Sequence, residues 1–160
     1  VGLDISDALV EAARLRSTRA NINYEQADAQ HDTRFLGQVD RLTSRFGIMF
    51  FDDPLAAFRN LRSWLKPDGR FAFAVWGAPA KNPWMGIVRE TVAQFVDLPK
   101  REPDQPGPFR YADAAAFGEL LSEASFKKVR AQTWSGMLQL GGGLPAPDAA
   151  DFGLSAFSIG

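Results

Sequence analysis

Cysteine is absent from the 160 residues, and histidine occurs once. Without thiols there is no disulfide framework, no thiolate metal site and no cysteine nucleophile. His31, standing alone in a polar stretch, lacks the companions that a metal centre requires. An excess of charge of one sign is also missing: 18 Lys and Arg stand against 19 Asp and Glu, for a formal net charge of -1. A nucleic-acid binder would carry a basic excess on some face, so that class is set aside. Long hydrophobic runs are lacking too. The best, Phe71–Ala80, already contains Gly77 and Pro79, and it falls short of the roughly 20 apolar residues that a membrane span needs. No Met opens the sequence, and no basic-then-apolar leader follows. Together these absences point to a cytoplasmic protein without a membrane span.

What is present is ordinary globular material: 46% hydrophobic, 12% aromatic and 23% charged residues, enough for one domain. The opening string Val1-Gly2-Leu3-Asp4-Ile5-Ser6 reads as the last part of a strand entered without a preceding turn. An isolated strand end cannot begin a domain, because its backbone groups need neighbours. Phe152–Gly160 is apolar and small, with no stop signal. The expectation is an internal piece of a longer chain, with a sheet incomplete at both ends.

Ser6 is a good N-cap, and Asp7 and Glu11 suit the positive end of a helix running to about Arg19. Asn21–Glu25 reads as a short strand ending near Ala27, and Asp28–Gln38 as polar loop. Val39–Ser44 is a weaker strand. Asp52-Asp53-Pro54 is a strong helix start, followed by Leu55, Phe58, Leu61 and Leu65 at helical spacing. Lys66-Pro67-Asp68-Gly69 marks a stop and a turn. The continuous apolar run Phe71–Trp76 then predicts a central strand buried on both faces. Asn82-Pro83 opens a helix carrying Trp84, Ile87, Val88, Thr91 and Phe95, and the prolines of Leu98–Pro108 make a loop. Asp113 begins another helix, and Phe126–Leu140 alternates in part like a strand. Gly141-Gly142-Gly143 lacks the Lys-Ser/Thr of a phosphate loop and reads as a connector. Helices alternating with apolar strands predict an α/β sheet.

Ligands in such sheets sit beyond the carboxyl ends of the strands. Asp4 ends the first strand, and an ionised carboxylate there can accept from both hydroxyls of a ribose. Asp28 and the Ala29 amide follow the second strand and can meet the amino edge of an adenine. Ser44-Arg45-Phe46-Gly47 follows the third, where Gly47 lets the backbone approach a ligand and Ser44 or Phe46 can offer carbonyls. Each has a plainer reading: Asp4 as partner of the helix dipole, Asp28 as a loop carboxylate, and Phe46, Met49, Phe50 and Phe51 as core and pocket wall.

The strings Val1–Ser6, Ala27–Gln30, Thr43–Phe51 and Leu65–Phe71, in this order and spacing, resemble the class I S-adenosylmethionine-dependent methyltransferases. The likeness is to the kind related to ubiquinone and menaquinone C-methyltransferases. It covers residues 1–76 well and 113–140 loosely. The resemblance implies a Rossmann-like sheet with helices on both faces and S-adenosylmethionine as cofactor. Asp4 would hold its ribose, Ile5 would pack on its adenine, and Asp28 would bond the adenine amino group beside the Ala29 amide. Ser44 and Phe46 would lie by its methionine part. It implies a cofactor-binding half at 1–76, a possible lid at 82–111, and a C-terminal helix and strand at 113–140, all within one partial domain, 1–160. The family's Gly-rich loop would precede Val1. Ala27 and Ser125 stand where the family commonly has glycine, and Arg41 where it has an apolar residue.

The implied function is methyl transfer to a small-molecule acceptor, with no catalytic residue and no metal ligand assigned. Two other readings stay open: a non-catalytic fragment or interaction module of the same fold, and an NAD(P)-dependent oxidoreductase, whose ribose is also held by an acidic residue after the second strand.

Overall fold

A computed structural model describes residues 1–98 and 105–156. The first strand, β1 (Gly2–Asp4), leads into helix α1 (Asp7–Arg16). Ser6 caps α1, its hydroxyl accepting the Leu9 amide at 3.4 Å. Asp7 in the first turn and Arg14 and Arg16 in the last complement the helix dipole. The helix closes at Ser17, short of the expected Arg19. The chain returns in β2 (Tyr24–Gln26), parallel to β1, with Gly2 opposite Tyr24 and Asp4 opposite Gln26. The Tyr24 ring lies over Gly2 so closely that a Cβ there would meet it at 2.7 Å.

The second strand pair is β3 (Val39–Arg45) and β4 (Leu65–Ala74), also parallel and joined through α2 (Pro54–Trp64). The expected start of α2 is realised: the Asp53 carboxylate accepts the Ala56 amide at 3.0 Å, and Pro54 opens the helix. Val39 pairs with Leu65 and Arg41 with Arg70, so Lys66-Pro67-Asp68-Gly69 is extruded as a bulge. The turn expected here is instead an irregularity inside β4: the ladder continues on both sides of it and the strand starts at Leu65.

The run Phe71–Trp76 differs from expectation. Phe71, Phe73 and Val75 are half-buried against the core, whereas Ala72 and Ala74 are exposed. A strand sends alternate side chains to opposite faces, and among the described residues only one face of this pair is covered.

Helix α3 (Pro83–Val92) follows, but Asn82 does not cap it; its side-chain amide donates instead to the Gly77 and Ala78 carbonyls, each at 3.1 Å. The helix stops before Phe95, which is exposed. Part of the proline-rich loop lies outside the described residues. Its described end is tied down by the Gly107 amide, which donates to the Met49 carbonyl at 3.1 Å. Helix α4 (Ala114–Glu123) is capped by Asp113, which accepts the Ala115 and Ala116 amides at 2.8 and 3.2 Å. It ends in a paired closure: the Phe126 amide reaches the Leu121 carbonyl at 2.9 Å and the Ser125 amide the Ser122 carbonyl at 3.0 Å. Ser125 carries a left-handed φ of 70° there, the conformation for which glycine is the usual residue. The strand expected over Phe126–Leu140 does not form. Lys128 also turns left-handed (φ 57°), and none of the four strands among the described residues offers this stretch a ladder. Helix α5 (Ala146–Ala156) lies beyond it.

Phe58 is fully buried at the centre of the core. The rings of Phe51, Phe73, Tyr111 and Phe117 stand 5.6–5.8 Å from it, and Phe126 lies edge-on at 6.5 Å. Such ring pairs add about 0.5–1.5 kcal/mol each beyond the area they bury. The cluster welds α2, β4 and α4 into one unit. It leaves the Tyr111 hydroxyl buried with no hydrogen-bond partner among the described residues, and burial pushes its pKa up to about 12.

Candidate functional site at the strand tips

The carboxyl ends of β1 and β2 are drawn together by two bonds. The Ala27 amide donates to the Asp4 carbonyl at 2.9 Å, and the Gln26 side-chain amide donates to the Ile5 carbonyl at 3.1 Å. Asp4 uses one carboxylate oxygen, Oδ1, to accept the Ser6 amide at 2.9 Å. Its Oδ2 has no partner among the described residues, an acceptor left open to solvent. Ile5 beside it is 68% exposed, an apolar side chain presented rather than packed.

Asp28 follows Ala27 directly, and its carboxylate is held by its own loop. Oδ1 accepts the Gln30 amide at 2.9 Å, and Oδ2 lies 2.6 Å from His31 Nδ1. The His31 bond, helped by the Gln30 amide, holds the Asp28 carboxyl below the usual carboxylate range against the opposing effect of burial. Each oxygen retains a lone pair. The Ala29 carbonyl accepts from Asn60 Nδ2 at 3.0 Å. The same Asn60 nitrogen donates to the Asp32 carbonyl at 2.8 Å, which also accepts Trp64 Nε1 at 2.9 Å. Helix α2 thus staples the 28–32 loop. At the loop's far side Arg34 bridges Asp32 and Glu25 at 2.6 and 2.9 Å, and its guanidinium holds the Asp32 carboxyl below the usual range.

At the end of β3, Ser44 is half-buried, its Oγ close over Gly47: a Cβ on Gly47 would meet it at 3.4 Å. Phe46 takes a left-handed φ of 66°, unusual for an aromatic residue. It is held there by its amide, which donates to the Ala74 carbonyl at 3.0 Å, and by its ring, stacked on Trp76 at 4.3 Å and 3°. Trp84 meets Trp76 edge-on at 5.4 Å, tying the first turn of α3 to the same corner. The loop after β2 is linked to the start of α2 through Gln30, whose Oε1 accepts the Asp53 amide at 3.1 Å.

The structure therefore brings Asp4, Ile5, Asp28 and Ala29 to one edge, whereas Ser44 and Phe46 stand at the carboxyl end of the separate β3–β4 pair. Sequence reasoning missed Gln30, His31 and Asn60. Nothing local marks Asn60, whose partners lie 28 and 31 positions away. For His31 the spacing Asp-x-x-His was visible, three residues apart in a polar loop. A polar cleft lined by Arg14, Ser17, Arg19, Ile22, Asn23 and Tyr24 lies at the opposite, amino end of β2 and takes no part in this site. Among the described residues no cluster of His, Asp or Glu could hold a metal ion. At this edge Asp4 keeps one free acceptor, Asp28 keeps lone pairs on both carboxylate oxygens, and Ile5 is exposed.

The family described as Methyltransferase domain matches residues 1–73. A methyltransferase solved in complex with the Haloferax volcanii Trm112 methyltransferase activator shares 18% identity over 77% of this chain and 48% of that one, with a TM-score of 0.54. The trans-methyltransferase CalH, solved in complex with SAH, shares 19% identity over 76% of this chain and 34% of that one, with a TM-score of 0.52. An S-adenosylmethionine dependent methyltransferase from Mesorhizobium loti is 29% identical over 45% of this chain and 33% of that one, with a TM-score of 0.42. No curated protein matches the chain. The chain spans about a third to a half of the length of these solved structures. The match to that family spans the first 73 residues, and the parallel strands and helices shared with the first two structures give the chain a Rossmann-like α/β fold.

Proposed function

We propose that the protein transfers a methyl group from S-adenosylmethionine to a small acceptor molecule, after the manner of the ubiquinone- and menaquinone-type enzymes its sequence resembles. The observation that carries this reading is the joined tip of β1 and β2, where the Ala27–Asp4 bond sets an open carboxylate, an exposed apolar side chain and Asp28 side by side. Asp4 would accept from the ribose hydroxyls, Ile5 would cover the adenine, Asp28 would take its amino group, and the Ala29 amide would face the ring. Ser44 and Phe46 would border the methionine part. The sulfonium supplies an activated methyl, so the protein's task is to align acceptor, methyl and sulfur rather than to move protons. Residues 1–76 form the cofactor-binding half in this proposal, 82–111 a lid, and 113–140 a C-terminal support. No described helix is long and apolar enough to cross a membrane; a cytoplasmic location belongs to the same proposal.

The test is calorimetric titration of the full-length protein with S-adenosylhomocysteine. Binding is expected, weakened about 10- to 100-fold in Asp4→Ala and in Asp28→Ala, as loss of a hydrogen bond to a charged group implies. Absence of binding, or two variants that bind like the parent, overturns the reading.

A further inference from the structure

Gln30 fixes the protonation of its neighbour. Its Oε1 accepts the Asp53 backbone amide at 3.1 Å, which settles the orientation of the side-chain amide: the NH2 group is the one that faces His31. That nitrogen lies 3.2 Å from His31 Nε2. An NH2 group only donates, so His31 Nε2 must present its lone pair. The ring proton then sits on Nδ1, where it donates to Asp28 Oδ2 at 2.6 Å. One arrangement satisfies all these contacts: a neutral imidazole with its proton on Nδ1, between a carboxylate and an amide. The chain of bonds runs from Asp28 through His31 and Gln30 to the residue that caps α2.

We propose that His31 is a positioning residue of this site: as the neutral Nδ1–H tautomer it aims the Asp28 carboxylate at the adenine amino group and ties the loop to the start of α2, and its protonation weakens nucleotide binding. The inference rests on the cofactor reading above. A second proton on Nε2 would face the Gln30 NH2 group, donor against donor, so Gln30 must release either His31 or the Asp53 amide. The doubly protonated ring would also bind Asp28 as an ion pair and compete with the adenine amino group for the same oxygens. The charged groups around the ring are Asp28 in direct contact, Asp32 acting on Asp28, Arg34 holding Asp32 and Glu25, and Asp53 across Gln30.

His31 is the sole histidine of the chain, so its imidazole nitrogens give unambiguous magnetic-resonance signals. The neutral ring is expected as the Nδ1–H tautomer, which both the Asp28 carboxylate and the Gln30 amide require. An Nε2–H tautomer in the parent protein overturns the proposal without reference to any ligand. With S-adenosylhomocysteine as probe, binding is expected to weaken about five- to tenfold as the ring, followed by the same signals, takes up its second proton, the scale of one net hydrogen bond. In His31→Ala the affinity should be about fivefold lower at about pH 8 and flat with pH. In His31→Asn, which keeps a neutral donor near the Nδ1 position, it should recover while staying flat. A pH profile unchanged in either variant overturns the proposal. If the parent binds no S-adenosylhomocysteine while the tautomer is as expected, it is the cofactor reading that falls, and with it the role given to this ring in binding.

Discussion

Replacing Asn60 by Ala tests the staple between α2 and the 28–32 loop. Asn60 Nδ2 makes two bonds, to the Ala29 carbonyl at 3.0 Å and to the Asp32 carbonyl at 2.8 Å, in a partly buried setting. A net intramolecular hydrogen bond is worth about 1 kcal/mol, and a buried group left without a partner adds to the loss. Asp32 keeps Trp64 Nε1 as a donor, but the Ala29 carbonyl loses its side-chain partner. The expected destabilisation is therefore about 2–3 kcal/mol. For a chain of this size that lowers the melting temperature by about 4–12 °C. Urea unfolding should show the shift as a lower midpoint at unchanged slope. Trp64→Phe removes the second donor to Asp32, so the double variant should lose more than the two single changes together, because only then is that carbonyl stripped. A cost below about 0.5 kcal/mol for Asn60→Ala, the range of an ordinary surface change, would refute the reasoning, as would strict additivity of the pair.

Ser125→Gly should stabilise the protein by about 0.5–1 kcal/mol, because a left-handed residue closing a helix is relieved when its Cβ is removed; a lower unfolding midpoint would contradict this account of the α4 terminus. The pH dependence has a definite sign. Asp28 and Asp32 titrate lower in the folded protein than in the unfolded chain. Their contribution is complete above the unfolded carboxylate value of about 3.9 and disappears as pH falls through the folded values. Arg34→Gln, which removes the chief cause for Asp32, should therefore flatten the loss of stability below about pH 4, measured as melting temperature against pH. An unaltered acid limb would count against the assigned cause.

Local chemistry was legible wherever it acts within a few residues. Ser6, Asp53 and Asp113 each accept an amide two or three positions ahead, and all three helix starts fall where the sequence puts them. The ordering of strand tips was legible as well, because Asp4 closes β1 and Asp28 lies two residues past the end of β2. What could not be read depends on partners distant in sequence. The alternation of Val129, Ala131 and Thr133 resembles a strand, but a strand exists only where another edge meets it. The turn at Pro67-Asp68-Gly69 gave no sign that Leu65 would already be paired with Val39. At the site, the role of His31 passes through Gln30 to Asp53, a bond spanning 23 positions, so the ring reads from sequence as merely solvated.

The junction of α2 and β4 has no connecting residue: Trp64 ends the helix and Leu65 begins the strand. Adding one residue to a helix turns its end by about 100°, whereas adding one to a strand exchanges its two faces. An extra residue anywhere between Pro54 and Leu65 would thus either twist Phe58 out of the aromatic cluster or send Phe71 and Phe73 to the solvent side. The extruded Lys66–Gly69 segment is different, being already outside the ladder. Length changes in this half of the molecule can be absorbed there, so the bulge works as its expansion joint.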